Sequence, residues 1–115
     1  MVVSFACKQI DLKDILMCSF NLNKTEYNLL LFLMKQNESL CASSIGETVG
    51  KDRTTIQKAI KHLLDMDLVH KHQVNLDQGG YIFVYKIKDK EYLRNRITEV
   101  VSDWHKAVLV EVKKW

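Results

Sequence analysis

Two stretches of helical periodicity, Ala42 to Val49 and Arg53 to about Met66, are separated by only Gly50, Lys51 and Asp52, and no other feature of the chain constrains its fold as strongly. The first carries Ile45 and Val49 four residues apart. Gly50 fits the left-handed position that ends a helix, and Asp52 can cap the next one, so the turn between the helices is Gly50 and Lys51. The second stretch sets Ile56, Ile60 and Leu63 on one stripe with Ala59 and Leu64 beside it. Its other face holds Thr54, Gln57, Lys58 and Lys61, a polar and partly basic surface with little acid in the first three turns.

The flanking segments follow from the same periodicities. Leu12, Ile15, Leu16 and Phe20 predict a short amphipathic helix over 8–18. Asn23 with Glu26 three residues on reads as a capping pair for a helix over 24–36, and its run Leu29 to Met34 is apolar most of the way round, which predicts a central buried helix. After residue 68 the pattern changes to two β-rich runs, Val69 to Leu76 and Tyr81 to Ile87, joined by Asp77, Gln78, Gly79 and Gly80, a hairpin turn. Asp89 caps a last helix that reaches about Lys114. With no proline, four glycines, no repeat and no linker, residues 1–115 read as one domain, with a core over about 20–88 and the last helix over about 89–115.

A short helix, a tight turn, a second helix with a polar face and a hairpin directly after it describe a winged helix-turn-helix: mainly α with a small β-hairpin wing. The stretch Asp52-Arg53-Thr54-Thr55-Ile56-Gln57-Lys58-Ala59-Ile60-Lys61-His62-Leu63, followed by Leu68-Val69, resembles the recognition helix and wing entry of MarR-type regulators. Leu22 to Tyr27 and Ala42 to Gly50 resemble equally the TrmB-type archaeal sugar regulators, and the likeness spans about residues 20–112. One departure is Asp67, where the family usually has glycine before the Leu-Val pair; aspartate tolerates a left-handed backbone better than most residues.

The resemblance implies a sequence-specific regulator whose recognition helix lies in the major groove of duplex DNA. Lys51, Arg53, Lys58 and Lys61 can meet phosphates or guanine edges, Gln57 can pair with adenine, and threonine methyls can touch thymine. We assign Thr54, Thr55, Gln57 and Lys58 to base edges and Arg53 and Lys61 to the backbone. His70, Lys71 and His72 are the wing's candidates, with the tip Gln78 to Gly80. A winged helix that docks on protein and touches no nucleic acid is the competing reading, since fold alone does not fix function.

The last helix carries Leu93, Ile97, Val100, Trp104, Val108, Val112 and Trp115 in steps of three and four. Such a helix is about 39 Å long, whereas a compact domain of this size is about 34 Å across, so it should overhang and expose an apolar patch. The expectation is a two-fold homodimer through this stripe, with the 8–18 helix packed beside it, reading a pseudo-palindromic site, with repression the expected sign. The family's pocket between DNA-binding lobe and dimer helices implies a small-molecule effector, and because the chain ends with this helix, no appended sugar-binding domain is expected.

Composition narrows the rest. With 115 residues, 47% hydrophobic and 27% charged, the chain can bury one core without staples. Its net charge of +3 permits a polyanionic partner without demanding one. The longest apolar run, Leu29 to Met34, is far short of a membrane span, and Lys8, Asp11, Lys13 and Asp14 interrupt any secretory leader, so a cytoplasmic location is expected. Cys7, Cys18 and Cys41 form no C-x-x-C pair, so no metal or other cofactor is expected, and a buried, inert thiol is the reading for Cys7. No nucleophile elbow, phosphate loop or dinucleotide fingerprint occurs, so no enzyme is expected.

Overall fold

The computed structural model of the protein describes residues 2–115. In chain order its elements are β1 (Val2–Phe5), β2 (Lys8–Asp11), α1 (Leu12–Ser19), α2 (Lys24–Met34), β3 (Leu40–Cys41), α3 (Ala42–Val49), α4 (Arg53–Asp65), β4 (Val69–Asn75), β5 (Tyr81–Ile87) and α5 (Lys90–Val112). They group into two compact units: Leu22–Lys88, and the N-terminal residues to Asn21 together with Asp89–Trp115.

The Leu22–Lys88 unit is the winged helix-turn-helix. Its core is built by Leu29, Leu30 and Leu33 of α2, Ile45 of α3, and Ile56, Ala59, Ile60 and Leu63 of α4, closed by Leu68, Val69 and Tyr85. The run on α2 is less uniformly buried than its composition suggests: Leu31 and Phe32 are half-buried and Met34 is exposed. The expected caps are present. Asn23 and Glu26 form a reciprocal capping box, each side chain bonding the other's backbone N–H at 2.8 Å. At the end of α4, Asp67 takes φ 61°, and the Leu68 and Asp67 amides donate to the Leu63 and Leu64 carbonyls at 2.9 Å. That is the Schellman arrangement, with Leu63 and Leu68 wholly buried at its apolar contact.

The sheet has order β3-β5-β4, all antiparallel. β4 and β5 pair from Val69 with Ile87 to Asn75 with Tyr81. β3 pairs Leu40 with Tyr85 and Cys41 with Val84, adding a strand that the sequence reading did not include.

The second unit corrects the N-terminus. Residues 8–11, read from the sequence as the start of a helix, are instead a strand that pairs with β1 from Val2 with Asp11 to Phe5 with Lys8. Helix α1 starts only at Leu12, where the Asp11 side chain accepts from the Lys13 amide at 3.2 Å. It packs against α5, whose own start is capped by Asp89, which accepts from the Tyr92 amide at 2.7 Å. The expectation of a buried Cys7 thiol is also overturned: Cys7 is exposed, as is Cys18, and Cys41 is half-buried. Cys7 lies in the hairpin turn and Cys18 on the open side of α1. Among the described residues, no helix is long and apolar enough to cross a membrane.

Candidate nucleic-acid interface

The turn between α3 and α4 closes on Gly46. Its carbonyl accepts from the amides of Gly50 at 2.9 Å and Lys51 at 3.0 Å, and Gly50 supplies the left-handed backbone at φ 75°. A Cβ at Gly46 would sit 2.7 Å from the Lys51 carbonyl oxygen, so the two helices approach this closely only because the side chain is missing. Asp52 then starts α4 by accepting from the Thr55 amide at 3.2 Å. Hydrogen bonding from Thr55, with the Lys58 charge as a smaller contribution, holds the Asp52 carboxyl below the ordinary aspartate value.

This start sets the rotation of α4. Ile56, Ala59, Ile60 and Leu63 face inward and are buried, while Arg53, Thr54, Gln57, Lys58 and Lys61 face outward and are exposed. Thr55 stands apart from the rest of the expected base-reading group, because it is half-buried and bonded to the cap. His62 turns toward α2, its Nε2 3.9 Å from Glu26 Oε1, an ion pair when the imidazole is protonated. Lys51 lies exposed at the head of the row of cations.

The hairpin behind α4 splits the expected wing residues between its two faces. Val69 and Tyr85 are buried on the side that meets the helices, and alternation puts Lys71 on that same side, paired with Tyr85. Its Nζ lies 4.1 Å from the centre of the Phe83 ring, a cation–π contact. Burial raises the Tyr85 phenol above its usual value, with the Arg53 charge opposing, so the start of α4 and this face of the wing are near neighbours. His70 and His72 occupy the other face, their rings stacked at 6.1 Å. The strand ends on a loop in which Leu76 donates to the Gly80 carbonyl at 3.0 Å, with Gly79 and Gly80 both at positive φ, and every residue from His70 to Ile82 is exposed, while Phe83 is half-buried.

One set of groups was not anticipated. Lys24, Thr25 and Asn28 in the first turns of α2 share a cleft of about 270 Å³ with Lys51, floored by Leu29, Val49 and Ile56. The cleft brings a second lysine next to the helix-turn-helix. The Asn23–Glu26 capping pair was the available signal, since it marks a helix start, where backbone N–H groups and a following lysine favour anions.

On the other unit, Leu93 is buried by its own chain, Ile97 and Val100 are half-buried, and everything from Val101 to Trp115 is exposed. Trp104 is 61% exposed and Trp115 100%.

Residues 16–91 match the protein family described as the sugar-specific transcriptional regulator TrmB. An uncharacterised protein of Methanocaldococcus jannaschii is 31% identical over 108 residues, covering 94% of this chain and 85% of that one. A possible transcriptional regulator from Methanosarcina mazei Go1 has the same fold with a TM-score of 0.92 at 31% identity, covering 100% of this chain and 97% of that one. The S. aureus MepR protein in its DNA complex shares the fold at a TM-score of 0.55 and 14% identity, over 88% of this chain and 86% of that one.

Proposed function

The chain belongs to the TrmB family of winged-helix transcriptional regulators, and on that premise we propose that it binds duplex DNA as a homodimer, lays α4 in the major groove and represses transcription by occupying a promoter. The observation that carries this reading is the division of α4. One face is spent in the core, while Arg53, Thr54, Gln57, Lys58 and Lys61 are exposed and serve no packing purpose within the chain.

In that pose Thr54, Gln57 and Lys58 are at base edges and Lys51, Arg53 and Lys61 at phosphates, which supply most of the affinity but no sequence information. Thr55 acts by fixing the helix start through Asp52. Lys71, on the α4 side of the wing, extends the cationic row. The fold it shares with a regulator found in complex with DNA supports this pose.

The dimer uses α5, from Ile97 and Val100 through Trp104, Val108, Val112 and Trp115. Two recognition helices held about one turn of DNA apart, roughly 34–36 Å, read a pseudo-palindromic site and add avidity to a weak half-site.

The test is the Lys58→Ala/Lys61→Ala double variant, measured for DNA affinity across a salt series. Binding should weaken, and the slope of log affinity against log salt should become shallower by about 1, as the phosphate-neutralising Lys61 is removed together with the base-edge contact of Lys58. The dimer should sediment unchanged. Wild-type affinity and slope in the variant would overturn the assignment of α4.

A further inference from the structure

We propose that the apolar groove on α5 between Trp104 and Trp115 is the seat of the β1–β2 hairpin of a second copy of this chain, with the Phe5 ring as the inserted group. The inference rests on the dimeric reading above and adds to it the segment that each copy lends the other.

The groove is a shallow, open face along one side of α5 and its C-terminal end, lined by Trp104, Ala107, Val108, Val112 and Trp115, with Glu111 as its charged member. An exposed apolar patch of that kind marks an interaction surface. The matching surface lies on the hairpin. Val3 stands opposite Ile10 and Phe5 opposite Lys8, and directly opposed residues of an antiparallel pair share a face. Val3 and Phe5 are 49% and 59% exposed. An isolated two-stranded hairpin is marginal in water, so this one too gains from being covered.

The charges agree as well. Lys8 sits beside Phe5 on the hairpin, and Glu111 lines the groove, where its present partner is the exposed Lys114 at 3.0 Å, a weak competitor. An apolar face with one cation meets an apolar groove with one anion.

The arrangement of the unit allows this meeting between two copies. The first half of α5, with Leu93 buried and Ile97 and Val100 half-buried, is the half already covered; α1 packs on α5 and leads directly out of β2. When two α5 helices cross antiparallel on a two-fold axis, the bare half of each runs along the covered half of the other, toward α1 and the hairpin behind it. A parallel pairing would cover the tryptophans and leave Val3 and Phe5 bare.

Cys7, exposed in the hairpin turn, provides the test. In the full chain carrying Cys18→Ser and Cys41→Ser, Glu111→Cys is added and the protein is oxidised mildly. A disulfide joining two chains is expected, and none when Glu91→Cys, at the far end of α5, replaces it. Phe5→Asp should raise the dimer dissociation constant roughly 30-fold, with an unchanged helical circular dichroism spectrum and red-shifted tryptophan emission. A dimer that forms no such link, that links within one chain, or that ignores Phe5→Asp overturns the hairpin seat while leaving the dimer standing. Monomers at every concentration overturn the dimeric reading itself.

Discussion

Helices α4 and α5 are both amphipathic, and they use their apolar faces in opposite ways. On α4 the stripe Ile56, Ala59, Ile60 and Leu63 is buried within the chain, and what remains outside is polar and cationic. On α5 burial stops after Val100, and Trp104, Val108, Leu109, Val110, Val112 and Trp115 are exposed. A periodic apolar stripe therefore signals a packing partner without saying which one. Where neighbouring elements of the same chain can reach it, as α2, α3 and the sheet reach α4, the stripe becomes core and its reverse side is free for recognition. Where they do not, as on α5 after Val100, the stripe is left exposed, and that is the surface the proposed dimer uses.

The largest expected effect separates the two helices directly. Leu63→Ala removes a side chain with no exposed surface and should cost about 2–5 kcal/mol of folding stability at any protein concentration. Trp104→Ala should leave the melting of dilute protein nearly unchanged and instead remove the concentration dependence of the melting temperature, because its ring is 61% exposed in the single chain. Calorimetry over a hundredfold range of concentration reads both. Equal, concentration-independent losses in the two variants would erase the distinction between the stripes.

The next effect concerns how α4 is presented. Gly46→Ala would force a Cβ to within 2.7 Å of the Lys51 carbonyl, a backbone atom that cannot swing aside, so α3 and α4 must move apart. We expect a loss of about 1–3 kcal/mol in chemical denaturation, together with weaker DNA binding. The binding loss should exceed that of an equally destabilising change in the core, because Lys51 and the head of α4 shift together.

What could be read from the sequence was the chemistry that acts over a few residues. The caps at Asn23, Asp52 and Asp89, the left-handed Gly50 and Asp67, and the Gly79–Gly80 loop all depend on neighbours at most a few positions away. The features that escaped depend on distant partners or on missing signals. The β1–β2 turn is Ala6 and Cys7, neither of which adopts the positive φ that advertises a hairpin, so nothing in the sequence separates residues 8–11 from the helix marked by Leu12, Ile15, Leu16 and Phe20. Two-residue β3 exists only because β5 passes beside it. Within the candidate interface, the outward face of α4 followed from its period. The division of Lys71 from His70 and His72 needed the further knowledge that Val69 and Tyr85 point inward, and the cleft shared by Lys24 and Lys51 needed the packing of α2 against the turn.

The smallest effect tests why aspartate is kept at the exit from α4. Asp67 has a left-handed backbone at φ 61° and an ion pair with Lys88, whose side chain is largely buried while that of Asp67 is mostly exposed. Glycine there would relieve the backbone, a gain of up to about 1 kcal/mol, but would lose the ion pair, worth about 0–1 kcal/mol at such exposure, and would loosen the unfolded chain. These contributions nearly cancel, so Asp67→Gly should melt within about 0.5 kcal/mol of the wild type. Asp67→Ala loses the pair and keeps the backbone penalty, and should cost about 1 kcal/mol. Asp67→Asn tolerates the left-handed geometry without the charge, so its difference from wild type isolates the pair, and added salt should shrink that difference. An alanine variant as stable as the asparagine one would show that the Schellman exit, with Leu63 and Leu68 packed at its base, holds the backbone in place whatever side chain sits at position 67.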